Sequence, residues 1–264
     1  MSRLVGLIMC LAVMSSAFAA PVGFSQQSPS LLFTGSEHFV PFSSRKQDTL
    51  SGISIHLTER LCHELHLSCE LRVYAANDNT LKLLRNGDID VIVAIDRNQL
   101  DAKKDSFTLS YASSPIMVFS RRAQGVSFQR WADLLGKRGA KAVALSLNAS
   151  FEHYAKARLN IVNAPTRRVA LQRLARGEVD YVIAPLYATL IDIRQLGLRQ
   201  VLARSPQSIE AHHLVMALSS RSKYRIMRQA LNDRLRTSVI QSYISQAVAD
   251  FMQHDDVALI SSRG

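Results

Sequence analysis

Glycine and proline are scarce, 11 and 7 in 264 residues, and neither recurs with a short period. Collagen-like and low-complexity chains are thereby excluded. Aromatic residues make up only 7%, and acids are the minority charge, 21 Asp+Glu against 32 Lys+Arg, for a formal net of +11. The basic excess is spread through helical patterns (Arg167, Arg168, Arg173, Arg176; Arg225, Arg228, Arg234, Arg236) and is not interleaved with aromatic side chains. It reads as a solvated face suited to anionic membrane surfaces or a membrane partner, not as a nucleic-acid site. Long uncharged apolar runs are missing after the extreme N-terminus, which excludes a polytopic membrane protein. There is no Gly-x-Ser-x-Gly, His-Glu-x-x-His or phosphate loop, so no ready-made nucleophile or metal helix is offered. What remains is 47% hydrophobic, enough for one large domain or two small ones.

The N-terminus has the layout of an export signal. Arg3 precedes an apolar stretch from Leu4 to Met14, and small residues follow through Ala17 and Ala19. Cleavage after Ala19 is expected, making residues 1–19 a signal peptide, and Met9 before Cys10 argues against a lipoprotein anchor. The stretch is shorter than the roughly 20 residues needed to span a bilayer. Export leaves Cys62 and Cys69 as an even pair in an oxidising compartment. Leu57, Leu61 and Leu65 mark a helix face that ends near Cys62, and a β-rich run begins near Cys69, close enough to bridge after reversal. His63 and His66 lie between them and raise a metal alternative. Oxidation of exported thiols, and the lack of further cysteines, favour the disulfide.

The most specific feature is a self-match. Leu81–Ala94 recurs as Leu171–Ala184, 90 residues later, each copy an amphipathic helix, a glycine (Gly87, Gly177), an acidic turn and a continuous apolar run. The glycines stand where a left-handed residue ends a helix, and the apolar runs suit strands buried on both faces. The alternation continues around each copy: strand 31–34, helix 53–65, strand 70–74, helix 79–86 and strand 89–94, then strand 141–145, helix 150–159, strand 161–163, helix 166–176, strand 179–184 and helix 187–195. Helices at 222–235 and 238–253 close the chain. This pattern predicts an α/β fold of two doubly wound, Rossmann-like lobes. Open α/β sheets bind ligands beyond the carboxyl ends of their strands, here Asp96-Arg97-Asn98 and Pro185-Leu186-Tyr187. Asp90 and Asp180 lie at the opposite strand ends, about 13 Å away, and are expected to be structural, capping the preceding turn.

Several short motifs occur in order: His38-Phe39-Val40-Pro41-Phe42, Gly52 before the first helix, Leu84 with Gly87-Asp88-Ile89-Asp90, Phe107-Thr108 with Tyr111, and Trp131 through Lys137, together with Cys62 and Cys69. In that order they resemble the periplasmic solute-binding proteins of family 3, the polar amino acid receptors of ABC importers. The resemblance implies a type II periplasmic binding protein fold, with crossing hinge strands near Tyr111–Pro115 and Ala211–Leu214. It implies lobe one from 20–112 and 214–264, and lobe two from 113–213. His212 and His213, adjacent in the second crossing strand, would point to opposite faces, which argues against a shared metal.

The family's ligand anchors are replaced. Asp101 stands at its carboxylate-binding Arg, Pro185 at its amine-binding Asp, Leu147-Asn148 at its Gly-Thr, and His56 at an acidic position of the first helix. A standard α-amino acid is therefore not the expected ligand. In their place, Arg97 can pair bidentately with a carboxylate or phosphonate beside Asp96. Asn148 or Ser150 can donate from a helix N-terminus. Phe39 and Tyr187 can wall a cleft, and Glu37 can meet a cation, whereas Phe33 and Phe42 suit the core. The expectation is a monomeric periplasmic receptor that passes a small solute to an ABC permease in the inner membrane, without cofactor or metal. Two alternatives stand beside it. One is a cyclohexadienyl dehydratase-like enzyme using Glu37, Asp96 and His38; the other is a ligand-bearing partner of a membrane sensor.

Overall fold

The computed structural model describes residues 30–74 and 79–255; the signal-peptide site after Ala19 and Cys10 lie outside them. The first half runs β1 (Leu31–Gly35), a three-strand meander of β2 (His38–Phe39), β3 (Ser43–Lys46) and β4 (Thr49–Ser51), α1 (Ile53–Glu64), β5 (Cys69–Leu71), α2 (Thr80–Asn86) and β6 (Val91–Asp96). Short β7 (Ser106–Phe107) and long β8 (Ala112–Arg121) lead out of it. The second half repeats the order as β9 (Arg138–Ala142), α3 (Ala149–Arg158), β10 (Asn160–Ala164), α4 (Arg167–Ala175), β11 (Tyr181–Pro185) and α5 (Leu186–Gln195). The 17-residue β12 (Leu202–Leu218) returns to the first half, and α6 (Arg228–Leu235) and α7 (Ser238–Asp255) follow.

The two halves have the same topology. β5, β1 and β6 are parallel in that spatial order, and so are β10, β9 and β11. β8 adds antiparallel to β11, and β12 adds antiparallel to β6. β8 and β12 also pair with each other from Arg121 and Leu202 to Ala112 and Leu214. The two lobes are therefore joined edge to edge through their crossing strands, and the hydrogen-bonded path does not stop at the lobe boundary. Register shifts interrupt β12 between Arg204 and Ser208, between Ser208 and Glu210, and between Val215 and Ala217. Such irregularities bend and twist a strand, which lets this sheet curl.

The duplicated segment governs both lobes. Leu84 and Leu174 are buried at corresponding helix positions. Gly87 (φ 92°) and Gly177 (φ 79°) take the left-handed conformation that frees each chain to reverse into its strand. Asp90 and Asp180 are structural, but they do not cap the preceding turn. Asp90 Oδ2 accepts from the main-chain N–H of Leu32 at 2.8 Å, and Asp180 Oδ2 from that of Arg138 at 2.7 Å. Each carboxylate thus holds the start of the neighbouring parallel strand.

Several boundaries differ from the sequence pattern. The strand expected at 141–145 begins at Arg138 and ends at Ala142, and beyond it Ala144 and Leu145 line the space between the lobes. The strand expected at 89–94 runs on to Asp96, with Ala94 at φ 53° opposite the Val215/Ala217 irregularity. Buried Tyr111 fixes that kink: its hydroxyl accepts from Ala94 N–H (3.1 Å) and donates to Ser54 Oγ of α1 (2.7 Å). The helix expected at 222–235 divides into a 3-10 turn (Lys223–Met227) and α6. Cys62 in α1 is bridged to Cys69 at the start of β5.

Candidate functional site

A cavity of about 1040 Å³ opens between the lobes, at the carboxyl ends of β1, β6, β9, β10 and β11. The placement follows from the topology, since parallel strands leave main-chain ends and helix starts on that edge. The crossing strands form part of its wall, through Ser114 of β8 and Glu210 and His212 of β12.

Asp96 closes β6 and is 5% exposed. Its Oδ1 accepts from Asn98 N–H at 3.1 Å, capping a short 3-10 turn, while its Oδ2 lies 3.9 Å from His212 Nε2. Strand alternation sets Glu210 and His212 on the same face of β12 and leaves His213 exposed on the other. Glu210 Oε1 is 4.0 Å from His212 Nε2. Glu210 Oε2 also accepts from Asn148 twice, from its main-chain N–H at 2.9 Å and its side-chain amide at 2.5 Å. Asn148 caps α3, its Oδ1 accepting from Phe151 N–H at 2.8 Å. His212 Nδ1 is buried and has no hydrogen-bond partner among the described residues. The Phe39 ring meets the imidazole edge-on, with centroids 5.8 Å apart.

The cationic wall residue is already paired. Arg167 opens α4 and donates to Asp192 of α5 at 2.7 Å, and Arg168 adds a second contact to the same carboxylate. Pro185, where β11 meets α5, lines the cavity but offers no N–H.

Of the residues singled out from sequence, Phe39, Asp96 and Asn148 line this cavity. Glu37, Arg97, Ser150 and Tyr187 do not. Glu37 is ion-paired with Arg45 at 2.6 Å. Arg97 is thrown outward by the turn that Asp96 caps, and its guanidinium lies 5.5 Å above the Phe107 ring. Ser150 is exposed on α3. Tyr187 is a packing residue between Phe42 and Phe251, and burial pushes its hydroxyl pKa up. The side chain of His38 lies outside the described ones. Sequence reasoning passes over Glu210 and Ser114, takes Arg167 only as part of a solvated basic face, and weighs His212 only as a metal ligand. The i, i+2 spacing of Glu210 and His212 was the available signal, once their segment was recognised as a strand.

Comparison with known proteins gives the same picture. The sequence matches bacterial extracellular solute-binding proteins, family 3, over residues 31–252. No curated protein matches it. Among solved structures it is similar to the arginine-, lysine-, histidine-binding protein ArtJ from Geobacillus stearothermophilus, at 15% identity and TM-score 0.57, covering 85% of this chain and 96% of that one. It is similar to the Bordetella pertussis BvgS periplasmic VFT2 domain, at 17% identity and TM-score 0.61, covering 84% and 93%. It is also similar to the second substrate-binding domain assigned to an amino acid ABC transporter of Streptococcus pneumoniae, at 15% identity and TM-score 0.64, covering 84% and 99%. At these identities the likeness is one of fold, that of type II periplasmic binding proteins.

Proposed function

Because the chain belongs to the bacterial extracellular solute-binding proteins of family 3, we propose that it captures a small polar solute between its lobes in the periplasm and delivers it to an ABC permease. The observation that carries this reading is the cavity itself, about 1040 Å³ at the strand ends of both repeats and walled by both crossing strands. A hinged receptor needs no reactive nucleophile, because closure around the solute is its output. In this reading residues 1–19 are removed on export, 20–112 with 214–264 form one lobe, and 113–213 form the other. The pairing of β12 with β6 from Leu214 onward supports the second boundary. The receptor works as a monomer, binding the permease through the rims of its closed lobes.

A second reading is favoured by the likeness to the BvgS periplasmic domain. Here the same cleft reports solute to a membrane sensor and no transport follows. The dehydratase reading gains less, since Glu37 is held by Arg45 and does not line the cavity.

A thermal-shift screen of the purified protein against amino acids, opines, organic acids and phosphonates tests solute capture. A solute at about 100 times its Kd adds about 2.7 kcal/mol to the folded state, which raises the midpoint measurably. If no class moves the midpoint of protein shown by circular dichroism to be folded, solute capture is wrong. Uptake of the labelled hit by cells with and without the protein then separates import from sensing.

A further inference from the structure

The charge balance of the cleft is opposite to that of the whole chain. The protein carries +11, yet the described charged side chains of the cavity wall are Asp96, Glu210 and Arg167. Arg167 is turned to Asp192, whose carboxylate it shares with Arg168. No described Lys or Arg pairs with Asp96 or Glu210; their nearest basic neighbour is His212, at 3.9 and 4.0 Å. Asp96 is more than nine-tenths buried, and its Oδ2 receives no hydrogen bond from the described residues. Asp96, buried, and Glu210, half-buried, set two carboxylates beside one imidazole, an arrangement that a cation entering the cavity relieves. The N–H groups of Asn148 before α3 are meanwhile donated to Glu210 and are not open to a solute's carboxylate.

Resting on solute capture in this cleft, we infer that the solute presents an ammonium or amidinium group to Asp96 and Glu210, beside His212, and needs no carboxylate to be held. The paired carboxylates supply charge-assisted hydrogen bonds to N–H donors. Phe39, in contact with His212 on the same wall, adds an aromatic surface of the kind that attracts cations.

Isothermal titration with matched probes tests this: agmatine against arginine, cadaverine against lysine, and glutarate as the anion. The amine of at least one pair is expected to bind no more weakly than its carboxylated counterpart, and glutarate is expected not to bind. Asp96→Asn and Glu210→Gln keep shape and hydrogen-bond acceptors, and each is expected to weaken the amine by about 30-fold or more. Circular dichroism melting confirms that the variants fold. Binding of arginine without agmatine, binding of glutarate, or wild-type amine affinity in both variants overturns the inference and leaves solute capture standing. A hit from the wider screen that lacks a cationic nitrogen does the same. Silence from every class removes both readings.

Discussion

Glu210 and Asn148 tie the second crossing strand to the first turn of α3, one carboxylate oxygen accepting from the main-chain N–H at 2.9 Å and from the side-chain amide at 2.5 Å. A cap residue is thereby recruited to aim an acid. With its Oδ1 engaged by Phe151 N–H, the Asn148 side chain is oriented at both ends. The carboxylate it holds is the one that faces His212.

Arg97 follows the strand end directly, as a ligand-binding residue should, yet it stacks on Phe107 away from the cavity wall. Arg97→Ala is therefore expected to leave solute affinity within about twofold of wild type, as for a surface substitution. Titration of the screening hit checks this. A large loss would return the guanidinium to the site.

The Tyr111 hydroxyl serves the kinked end of β6 and the start of α1 together. Tyr111→Phe strands the Ala94 N–H in a buried place and is expected to cost about 1–3 kcal/mol in urea unfolding. Burial pushes the phenol pKa up to about 12. The raised value means that ionising this hydroxyl destabilises the fold only at strongly alkaline pH. The Phe variant should therefore differ from wild type by the same amount at about pH 7 and about pH 9.

Arg85 grips Asp105 with two parallel hydrogen bonds, at 2.9 and 2.7 Å. That guanidinium, helped by Asp101 N–H, holds the Asp105 carboxyl below the usual carboxylate range. A depressed folded-state pKa gives stability that is present above the unfolded value, about 3.9, and is lost as pH falls through the folded one. Arg85→Ala is expected to lower the urea midpoint at about pH 7 and to converge on wild type towards about pH 2. Equal deficits at both pH values would contradict the assignment.

The bridge from Cys62 to Cys69 closes a short loop outside the cavity wall. Replacing both cysteines by serine is expected to cost about 2 kcal/mol of stability and to leave solute affinity unchanged. Denaturation and titration of the same preparation measure the two effects separately.

Sequence made legible whatever is encoded along the chain. The duplicated helix–glycine–strand unit, the left-handed Gly87 and Gly177 and the Cys62–Cys69 pairing all depend on neighbours a few residues apart. What it hid depends on register between strands. Asp90 and Asp180 were legible as structural, but their partners, Leu32 and Arg138, lie across the sheet. Glu210 and His212 sit in a strand whose preceding stretch, Ser205-Pro206-Gln207-Ser208, has the composition of a loop. Pairing with β8 on either side, at Arg204 and Ser208, keeps the stretch within the strand, and the register slips between them where Pro206 cannot donate. Arg97 misled because position after a strand fixes where the backbone goes, whereas the cap formed by Asp96 decides where the side chain goes.

The slips in β12 carry a mechanical consequence. Where the ladder between β8 and β12 is already irregular, the two strands can twist against one another without breaking a regular run of bonds. Both strands of that stretch lie within residues 113–213, so the twist reshapes the cavity wall that carries Glu210, while the crossing itself, with Ala112 opposite Leu214 and Ser113 opposite His213, stays in register.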